Sequence, residues 1–550
     1  MICVSCPRPI REIAEGLDIP EHYLELYGAH MAKLRLELLS QSRPATRRKL
    51  ILVTAMTSTG AGAGKTVTSV GLSQALNRIG KRAIVTLREP SLGPIFGLKG
   101  GGTGGGKSEV IPSDKINLHF TGDFHAVTSA HNLLCALLDA HIHNGNELRI
   151  DVNNIQWPRA MDVNDRALRT IVCGLGGSIN GPARETGFVI TAASEIMAIL
   201  ALASDRRDLR QRLSRIIVGF DMDGKAVRVE RLRATGALMV LLNDAIMPNL
   251  VQTTEGTPAL VHAGPFANIA HGTSSVIAQR MALHLADYVV NETGFAADLG
   301  AEKYFDVVLP SAGLKPAGAV MVTSVRAVLR HGGSVDSGVP LSSAFRAGFD
   351  NLAKHVEALG KFRVPVVVAI NHFPSDTVEQ LEVIRKFCEE LRVDCAISDF
   401  YGQGGAGGLD LAEKVLSAVD SPRSEKARPI YGPEMSLQEK IKTLACEVYG
   451  AAGVVFESKA SKKLQKFADL SYGHFPVCMA KTQASITDNP KILGAPRDWT
   501  LTVRDVALSA GAGFVVVVTG EMMLMPGLGR SPHAFELDVN DDTGIIGPLA

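Results

Sequence analysis

The chain has 550 residues, of which 46% are hydrophobic, and its 57 Lys and Arg almost balance its 56 Asp and Glu. This length predicts more than one domain, and a formal charge of +1 gives no support for binding nucleic acid or an anionic membrane through bulk charge. The most apolar runs are far shorter than the ~20 residues that cross a bilayer, and the N-terminus has no signal-peptide layout. We therefore expect a cytoplasmic protein whose partners are small molecules or another copy of the chain.

The first motif along the chain is the Cys-x-x-Cys formed by Cys3 and Cys6. No second pair accompanies it, and it lies at a terminus, where chains usually fray, so a metal or redox role is not favoured. The other cysteines lie in apolar or helical contexts and are predicted to be small buried hydrophobic residues rather than a disulfide framework. They are Cys135, Cys173, Cys388, Cys395, Cys446 and Cys478.

A phosphate-binding loop is predicted where a strand leads into a helix. The apolar, β-branched run KLILVTAMT at 49–57 precedes the loop, and apolar residues at helical spacing follow it until the stop signal Gly80. Glycines in the loop would turn backbone N–H groups toward an anion, Lys65 would reach the outer phosphates, and Thr66 would offer a hydroxyl to Mg²⁺. These glycines are Gly60, Gly62 and Gly64.

The loop departs from the Walker A pattern, which requires a glycine where this chain has Thr59. The alternative interpretation is a glycine-rich turn that carries a surface lysine. Nucleotide binding is favoured because the loop lies in the strand–loop–helix context that phosphate binding needs.

Strands alternate with helices along most of the chain. Continuously apolar runs predict strands, and such runs suit a parallel sheet covered on both faces. We expect an α/β fold, with a P-loop NTPase-like, mostly parallel sheet flanked by helices and smaller α/β domains following. A helix is predicted over 375–392, with Asp376 and Glu379 as its capping box. The predicted strands after the phosphate loop are 82–87, 187–191, 215–220, 286–292, 319–325, 364–371 and 513–520.

Two stretches rich in Gly, Ser, Pro and charge, 332–348 and 421–436, predict connections between domains. They divide the chain into a nucleotide-binding domain at 1–345, a second α/β domain at 346–430 and a C-terminal domain at 431–550. The glycine-rich run 97–107 is short and is interpreted as a close-approach or mobile loop.

Polar residues follow several of the apolar strands, where ligands bind in open α/β sheets. Arg88 and Glu89 follow the second strand, and the segments 262–272 and 292–306 contain further polar groups. Histidines and one aspartate are also concentrated in a single segment, for which metal binding and a hydrogen-bonded polar pocket are alternatives, the second favoured because no metal-ligand spacing accompanies them. These residues are His119, Asp123, His125, His131, His141 and His143.

Six segments together carry a family resemblance. They are REPSLGP, NLHFTGDFHA, AGPFANIAHG, ADLGAEK, PVCMAKTQ and TVRDVALSAGAGF. In this order, from about residue 10 to the end, the chain resembles formate–tetrahydrofolate ligase, whose phosphate loop also has threonine where this chain has Thr59. The resemblance implies ATP-driven formylation: formate attacks the γ-phosphoryl group, and the resulting formyl phosphate transfers its formyl group to N10 of tetrahydrofolate.

The resemblance also implies roles for individual residues. Lys65 and Arg88, with Lys99, would supply positive charge for phosphoryl transfer, and Thr66 would ligate Mg²⁺. Asp123, His125 and His271 are alternative bases for transfer to the amine. The second domain would bind folate, and the third would complete the nucleotide pocket. The remaining implied contacts are Thr57 and the loop glycines with ATP, Phe373, Pro374 and Tyr401 with the pteridine, and Ser509, Ala510 and Gly511 with the nucleotide. A monovalent cation and a homotetramer are implied as well.

The chain departs from the family pattern at five positions. Tyr401 replaces a tryptophan and keeps a stacking face, whereas Ala63 and Ala406 each remove a carboxylate. A paralogue with altered specificity, or one that binds without turnover, is therefore an alternative. A GTPase is disfavoured because 371–374 reads NHFP instead of N-K-x-D. The other two departures are Gly60 for a proline and Lys107 for a tyrosine.

Overall fold

The computed structural model describes residues 7–42, 48–57, 62–97, 101–333, 340–422, 426–520 and 522–548. Predictions for Cys3, Cys6, Thr59, Gly60 and Lys99 concern residues outside these ranges.

The strands are numbered in chain order. In the first part they are β1 (Leu24–Leu26), β2 (Ala32–Leu34), β3 (Lys49–Ala55), β4 (Ala83–Leu87), β5 (Gly104–Gly105), β6 (Ser108–Ile111), β7 (Ile150–Ile155) and β8 (Arg159–Met161). The next are β9 (Ile171–Cys173), β10 (Arg184–Thr186), β11 (Phe188–Ile190), β12 (Ile217–Asp221), β13 (Ala226–Arg228), β14 (Asn249–Thr253), β15 (Pro258–Val261), β16 (Tyr288–Glu292) and β17 (Gly318–Thr323). The last are β18 (Val366–Asn371), β19 (Asp394–Ser398), β20 (Gly453–Phe456), β21 (Val477–Ala480), β22 (Thr500–Ser509), β23 (Phe514–Thr519), β24 (Asp538–Val539) and β25 (Ile546–Gly547).

The α-helices are numbered in the same way. The first are α1 (Ile10–Glu15), α2 (Lys65–Arg78), α3 (Leu92–Phe96), α4 (Ser113–Asn117), α5 (Asp123–His143), α6 (Glu195–Leu202), α7 (Arg206–Arg215), α8 (Thr235–Leu241) and α9 (Val276–Leu285). They continue with α10 (Leu309–Ala312), α11 (Val325–His331), α12 (Leu341–Lys361), α13 (Val378–Glu390), α14 (Phe400–Gln403), α15 (Leu409–Val419), α16 (Leu437–Thr443) and α17 (Ser458–Asp469).

A large sheet dominates the structure and confirms the predicted α/β class. Within the described ranges it has twelve strands, ten of them in the order β1-β2-β14-β15-β4-β16-β3-β17-β18-β19, with β5 and β6 attached at β14. All neighbours from β15 to β19 are parallel, and the pairs from β1 to β15 are antiparallel. Every residue of β3, β4 and β17 is buried, as expected for strands covered by helices on both faces.

The register of the parallel strands brings their carboxyl ends to one edge of the sheet. Strand β16 lies between β3 and β4, and its last residue, Glu292, is in register with Val53 near the end of β3. The last residue of β18, Asn371, is opposite Ser398, the last residue of β19. Residues after these strands therefore share the edge at which α2 begins.

Several predicted strands form outside the main sheet. The 187–191 run forms β11, which pairs with β8, and the 215–220 run forms β12 between β7 and β13. The 513–520 run forms β23 in a separate sheet of order β20-β22-β23-β21. An apolar run predicts a buried strand, but its partner depends on contacts distant in sequence.

Three local predictions are corrected by the structure. Helix α13 is capped by Thr377 and Gln380 instead of Asp376 and Glu379, because the Asp376 carboxylate accepts a hydrogen bond from the Phe373 N–H. The second part of the predicted connection 332–348 is helical, since α12 begins at Leu341, and the proposed boundary at 345 falls within this helix. Cys446 is exposed and Cys173 is only partly buried.

Among the described residues, no helix is both long enough and apolar enough to cross a membrane.

Candidate active site

The amino end of α2 lies at the carboxyl edge of the main sheet. Gly64 precedes the helix in a left-handed conformation, with φ of 78°. A Cβ at this position would lie 2.3 Å from Nδ2 of Asn371 at the end of β18. The positive φ therefore favours glycine at this position, and any larger residue would also displace the Asn371 amide. Lys65 and Thr66 follow in the first turn, where the helix dipole favours an anion.

Thr66, Glu292 and Arg88 form a polar cluster beside this helix end. The Thr66 hydroxyl donates a hydrogen bond to Oε2 of Glu292 at 2.5 Å. Nη2 of Arg88 lies 3.4 Å from Oε1 of the same carboxylate, and both side chains are largely buried. The three residues come from α2, the end of β16 and the residue after β4, so the strand order brings them together.

The Arg88 guanidinium is held in place on its other side. Its Nη1 donates to the carbonyl of Pro265 at 3.2 Å, and a Cβ at Gly294 would lie 2.8 Å from the same nitrogen. Its Nε is buried without a hydrogen-bond partner among the described residues. Arg88 is thus fixed at the sheet edge, and its Nε is a donor that no described residue uses.

Glu89, the residue after Arg88, is a second buried polar group near this edge. Its side chain is buried, and Oε2 has no hydrogen-bond partner within the described part of the chain. Burial, followed by the nearby Asp123 charge, holds the pKa of Glu89 well above its usual value.

Thr57, two residues after β3, has its polar atoms hydrogen-bonded to side chains of the protein. Its N–H donates to Oδ1 of Asn351 at 3.3 Å, and its hydroxyl lies 2.8 Å from Nε2 of His355. Nε2 of His331 donates to its carbonyl at 3.2 Å. A direct contact between Thr57 and ATP stays a prediction, and the hydroxyl already has protein partners.

The three candidate bases lie in different environments. Asp123 is buried, and its two carboxylate oxygens accept hydrogen bonds from Lys33 at 2.7 Å and Asn249 at 2.8 Å. His125 is exposed on α5, where Nε2 lies 3.4 Å from the Ser129 hydroxyl.

His271 is buried, and neither ring nitrogen has a hydrogen-bond partner among the described residues. Burial, followed by the charges of Arg212, Arg88 and Lys303, lowers the pKa of His271 to about 3. It is therefore neutral at neutral pH, and Arg88 is close enough to influence its charge.

The other histidines of the α5 region do not converge on one point. Nε2 of His131 donates to the Pro158 carbonyl at 2.8 Å, and burial lowers the pKa of His131 to about 4. His141 accepts a hydrogen bond from the Leu148 N–H at 3.1 Å, whereas His119 and His143 are exposed. In the described ranges, no group of three or more His, Cys, Asp or Glu side chains is arranged to hold a metal ion.

The predicted pteridine platform lies at the ends of β18 and β19. Phe373 is partly buried, and the Arg326 guanidinium lies 5.2 Å from its ring centroid. Pro374 is exposed, and Tyr401 is 57% exposed. The Tyr401 carbonyl accepts a hydrogen bond from the Lys107 N–H at 2.9 Å, which fixes α14 against the glycine-rich loop.

A glycine-rich turn at 404–408 joins this platform to α2. Glu255 accepts a hydrogen bond from the Gly405 N–H at 2.8 Å and forms an ion pair with Arg78 of α2, also at 2.8 Å. Ala406 in this turn is exposed, whereas Ala63 before α2 is buried at 1% exposure. The two positions at which a carboxylate is missing therefore differ in environment.

The predicted nucleotide wall at Ser509, Ala510 and Gly511 forms the turn between β22 and β23. Oε1 of Glu195 accepts hydrogen bonds from the N–H groups of Gly511 at 2.8 Å and Ala512 at 3.2 Å. The turn thus packs against the start of α6, and its contact with nucleotide stays a prediction.

Sequence analysis included Glu292 in a polar segment after an apolar strand but assigned it no role. It ends a continuously apolar strand, which is a recognisable signal, but no phosphate-loop pattern specifies its spacing from Thr66. Asn371 was missed as well, because its approach to Gly64 depends on strand order.

The chain is similar in sequence to one known protein family over almost its whole length. The family model for formate–tetrahydrofolate ligase matches residues 4–549. Over 540 residues the chain is 53% identical to a formate–tetrahydrofolate ligase from Thermosipho africanus (strain TCF52B), which covers 98% of this chain and 97% of that protein.

Proposed function

Because the chain belongs to the formate–tetrahydrofolate ligase family, we propose that the cluster of Lys65, Thr66, Arg88 and Glu292 performs its reaction, the ATP-dependent ligation of formate to tetrahydrofolate. The observation that carries the assignment of this site is the hydrogen-bonded and ion-paired arrangement of Thr66, Glu292 and Arg88 at the start of α2. Phosphoryl transfer requires this type of positioning and charge.

The reaction proceeds in two displacements. A formate oxygen forms a bond to the γ-phosphorus as the bond to the ADP oxygen breaks, which gives formyl phosphate. N10 of tetrahydrofolate then bonds to the formyl carbon, phosphate leaves, and the amine loses a proton. Lys65 and Arg88 stabilise the charge on the phosphoryl oxygens in the first step, and Arg88 can hold the acyl phosphate through two N–H donors.

Mg²⁺ fits the pair formed by Thr66 and Glu292. Hydroxyl and carboxylate oxygens are the ligands that Mg²⁺ prefers, and these two side chains are already within 2.5 Å of each other. The ion would neutralise charge on the ATP phosphates. Glu292 thus has the role that an acidic residue at the end of a neighbouring strand has in P-loop enzymes.

A monovalent cation fits Glu89. The buried Oε2 of this residue has no partner among the described residues, and a bound cation would satisfy it. The same cation would stabilise the ionised carboxylate, since burial alone favours the protonated form.

Among the alternative bases, His271 is the one whose pKa is lowered in part by the charge of Arg88. A pKa of about 3 makes it a weak base, so we assign it a hydrogen bond to the reacting groups through a neutral ring. Asp123 already has Lys33 and Asn249 as partners. His125 stays a candidate for accepting the proton from the amine.

The remaining sites follow from the platform and the C-terminal turn. Phe373, Pro374 and Tyr401 would contact the pteridine, and Ser509, Ala510 and Gly511 would border the nucleotide. The enzyme would act in the cytoplasm as a homotetramer, and the three predicted domains would divide nucleotide and folate binding between them.

The test is ADP release measured with and without formate and tetrahydrofolate, together with direct measurement of 10-formyltetrahydrofolate. Release is expected to require both substrates and to fall by on the order of 10² or more in Lys65→Ala, because the charge over the phosphates is lost. Binding of ATP and folate without any product would instead identify a non-catalytic paralogue. Near wild-type turnover in Lys65→Ala would contradict the site assignment.

A further inference from the structure

Thr57, the last described residue before the phosphate loop, has all three of its polar groups held by buried side chains of α11 and α12. Oδ1 of Asn351 accepts a hydrogen bond from the Thr57 N–H at 3.3 Å, and Nδ2 of Asn351 donates one to the Thr57 hydroxyl at 3.1 Å. His355 lies 2.8 Å from the same hydroxyl, and His331 donates to the Thr57 carbonyl at 3.2 Å. All four side chains are at most 3% exposed.

Two of the same side chains also hold Gly494, which belongs to the segment after β21. Nδ2 of Asn351 donates to the Gly494 carbonyl at 2.8 Å, and the Gly494 N–H donates to Nδ1 of His331 at 3.3 Å. The end of β3 and a loop distant in sequence are therefore connected through one amide and one imidazole.

Both rings are neutral near pH 7, and for His331 this determines the directions of its hydrogen bonds. Burial lowers the pKa values of His331 and His355 to about 4, so each ring carries one proton near pH 7. His331 accepts at Nδ1 and therefore donates from Nε2 to Thr57. The Thr57 hydroxyl oxygen accepts a hydrogen bond from Nδ2 of Asn351, and the same hydroxyl shares a second hydrogen bond with Nε2 of His355.

The network continues below His355. Its Nδ1 faces Oδ1 of Asp298 at 4.0 Å. Oδ2 of Asp298 lies 2.6 Å from Nζ of Lys481, and both of these residues are buried. The side chains that bind Thr57 are thus next to an ion pair between Asp298, in the segment after β16, and Lys481, the residue after β21.

We propose that Asn351 and His355 are positioning residues for ATP, which act by fixing Thr57 at the start of the phosphate loop. These residues need not contact the nucleotide. Thr57 is covalently linked to the loop, so its position constrains where the loop begins. Misplacement of a binding group by about 1 Å is costly, and a residue with three held polar groups has little freedom to shift. This inference rests on the proposed function, since it assumes that the loop binds ATP.

The experiment measures Mg²⁺–ATP affinity of the full-length protein by calorimetry, without formate or folate, so that it does not depend on turnover. Thr57→Val keeps the side-chain shape and removes the hydroxyl, and His355→Leu removes the ring nitrogen that hydrogen-bonds to it. Each is expected to weaken ATP binding about 10-fold, which corresponds to the loss of about one hydrogen bond. His355→Gln, which can form the same hydrogen bond, is expected to restore affinity to within about threefold.

The double variant separates positioning from general damage. If both residues act through one hydrogen bond, Thr57→Val combined with His355→Leu weakens ATP binding no more than either change alone. Thr519→Val removes a buried hydroxyl in β23, whose partner is the Ala480 carbonyl at 3.2 Å, and is expected to leave ATP affinity unchanged.

Additive losses in the double variant, or an equal loss of tetrahydrofolate affinity, would overturn the proposal. Unchanged ATP affinity in Thr57→Val would also overturn it, and this isosteric variant covers the case in which His355→Leu fails to fold. Absence of ATP binding in the wild type would contradict the proposed function itself.

Discussion

The Thr66 hydroxyl and the Glu292 carboxylate are 2.5 Å apart, and this short hydrogen bond has a consequence for metal binding. In the proposed site, a Mg²⁺ ion held by both oxygens would replace the hydrogen bond between them. The bond already holds the two side chains next to each other, so little further side-chain entropy would be lost when the metal binds. Arg88 contributes from the other side by pairing with the second carboxylate oxygen.

We expect Glu292→Gln to lower turnover by on the order of 10² and to raise the Mg²⁺ concentration needed for half-maximal rate. Glutamine can still accept the Thr66 hydrogen bond, but the negative charge that attracts the metal and pairs with Arg88 is lost. Initial rates measured across a Mg²⁺ titration test this prediction. Glu185→Gln, an exposed carboxylate in β10, is the control and should match the wild type, whereas an unchanged Mg²⁺ requirement in Glu292→Gln would contradict the metal assignment.

At the scale of elements, the folate platform and the phosphate loop share helix α2. The buried ring of Phe400 packs against Gly71 of α2 and Gly408 of the turn. The ion pair between Arg78 and Glu255 supports the same contact from the other side of the turn. The predicted folate platform and the predicted phosphate loop are therefore both connected to one helix.

We expect Tyr401→Ala to raise the KM for tetrahydrofolate with a much smaller effect on the KM for ATP. The half-exposed ring supplies stacking, which by analogy with bases on aromatic side chains stabilises binding by about 1–3 kcal/mol. Tyr401→Phe keeps the stacking face and should behave like the wild type. Equal changes in the two KM values would show that Tyr401 is not the pteridine platform.

A substitution to glutamate is expected to change the stability of the fold by different amounts at the two positions that lack the family's carboxylate. Ala63 is 1% exposed and lies in the core beside α2, so Ala63→Glu must bury a carboxyl group and should destabilise the fold by about 2 kcal/mol or more. Ala406 is exposed in its turn, so Ala406→Glu should change stability by less than about 0.5 kcal/mol. Thermal melting of the two single variants decides the matter, and equal melting temperatures would contradict it. Steady-state rates of the Ala406→Glu variant would show whether that carboxylate increases activity.

At the scale of the whole molecule, local patterns predict the α/β class, the strand–loop–helix unit and the polar residues at strand ends, because each depends on neighbours in sequence. The strand order does not follow from such patterns. Glu292 reaches Thr66 only because β16 lies between β3 and β4. Likewise, Asp123 has the expected polar character, but its ion pair with Lys33 joins residues 90 positions apart. Sequence patterns therefore identify candidate groups, and long-range pairing decides which of them meet.

A long-range contact of the same kind makes stability depend on pH. Glu195 at the start of α6 accepts two hydrogen bonds from the turn after β22, and burial, the largest cause, raises the pKa of Glu195 to about 7. The unfolded chain loses this proton near the ordinary value of about 4.3, so between about 4.3 and 7 the folded state binds more protons. The contribution of Glu195 to stability is therefore full at low pH and is lost as the pH rises through 7.

We expect Glu195→Gln to remove this pH dependence, because its side-chain oxygen can accept the same two hydrogen bonds without ionising. The variant should match the wild type near pH 4 and exceed it by about 1–3 kcal/mol at pH 8, where the wild type must hold a charged carboxylate in a mostly buried position. Urea unfolding at a series of pH values measures the difference. A difference in free energy of unfolding between variant and wild type that stayed constant across this pH range would show that Glu195 does not titrate in the folded protein. A variant that lost stability relative to the wild type as the pH rose would contradict the predicted sign.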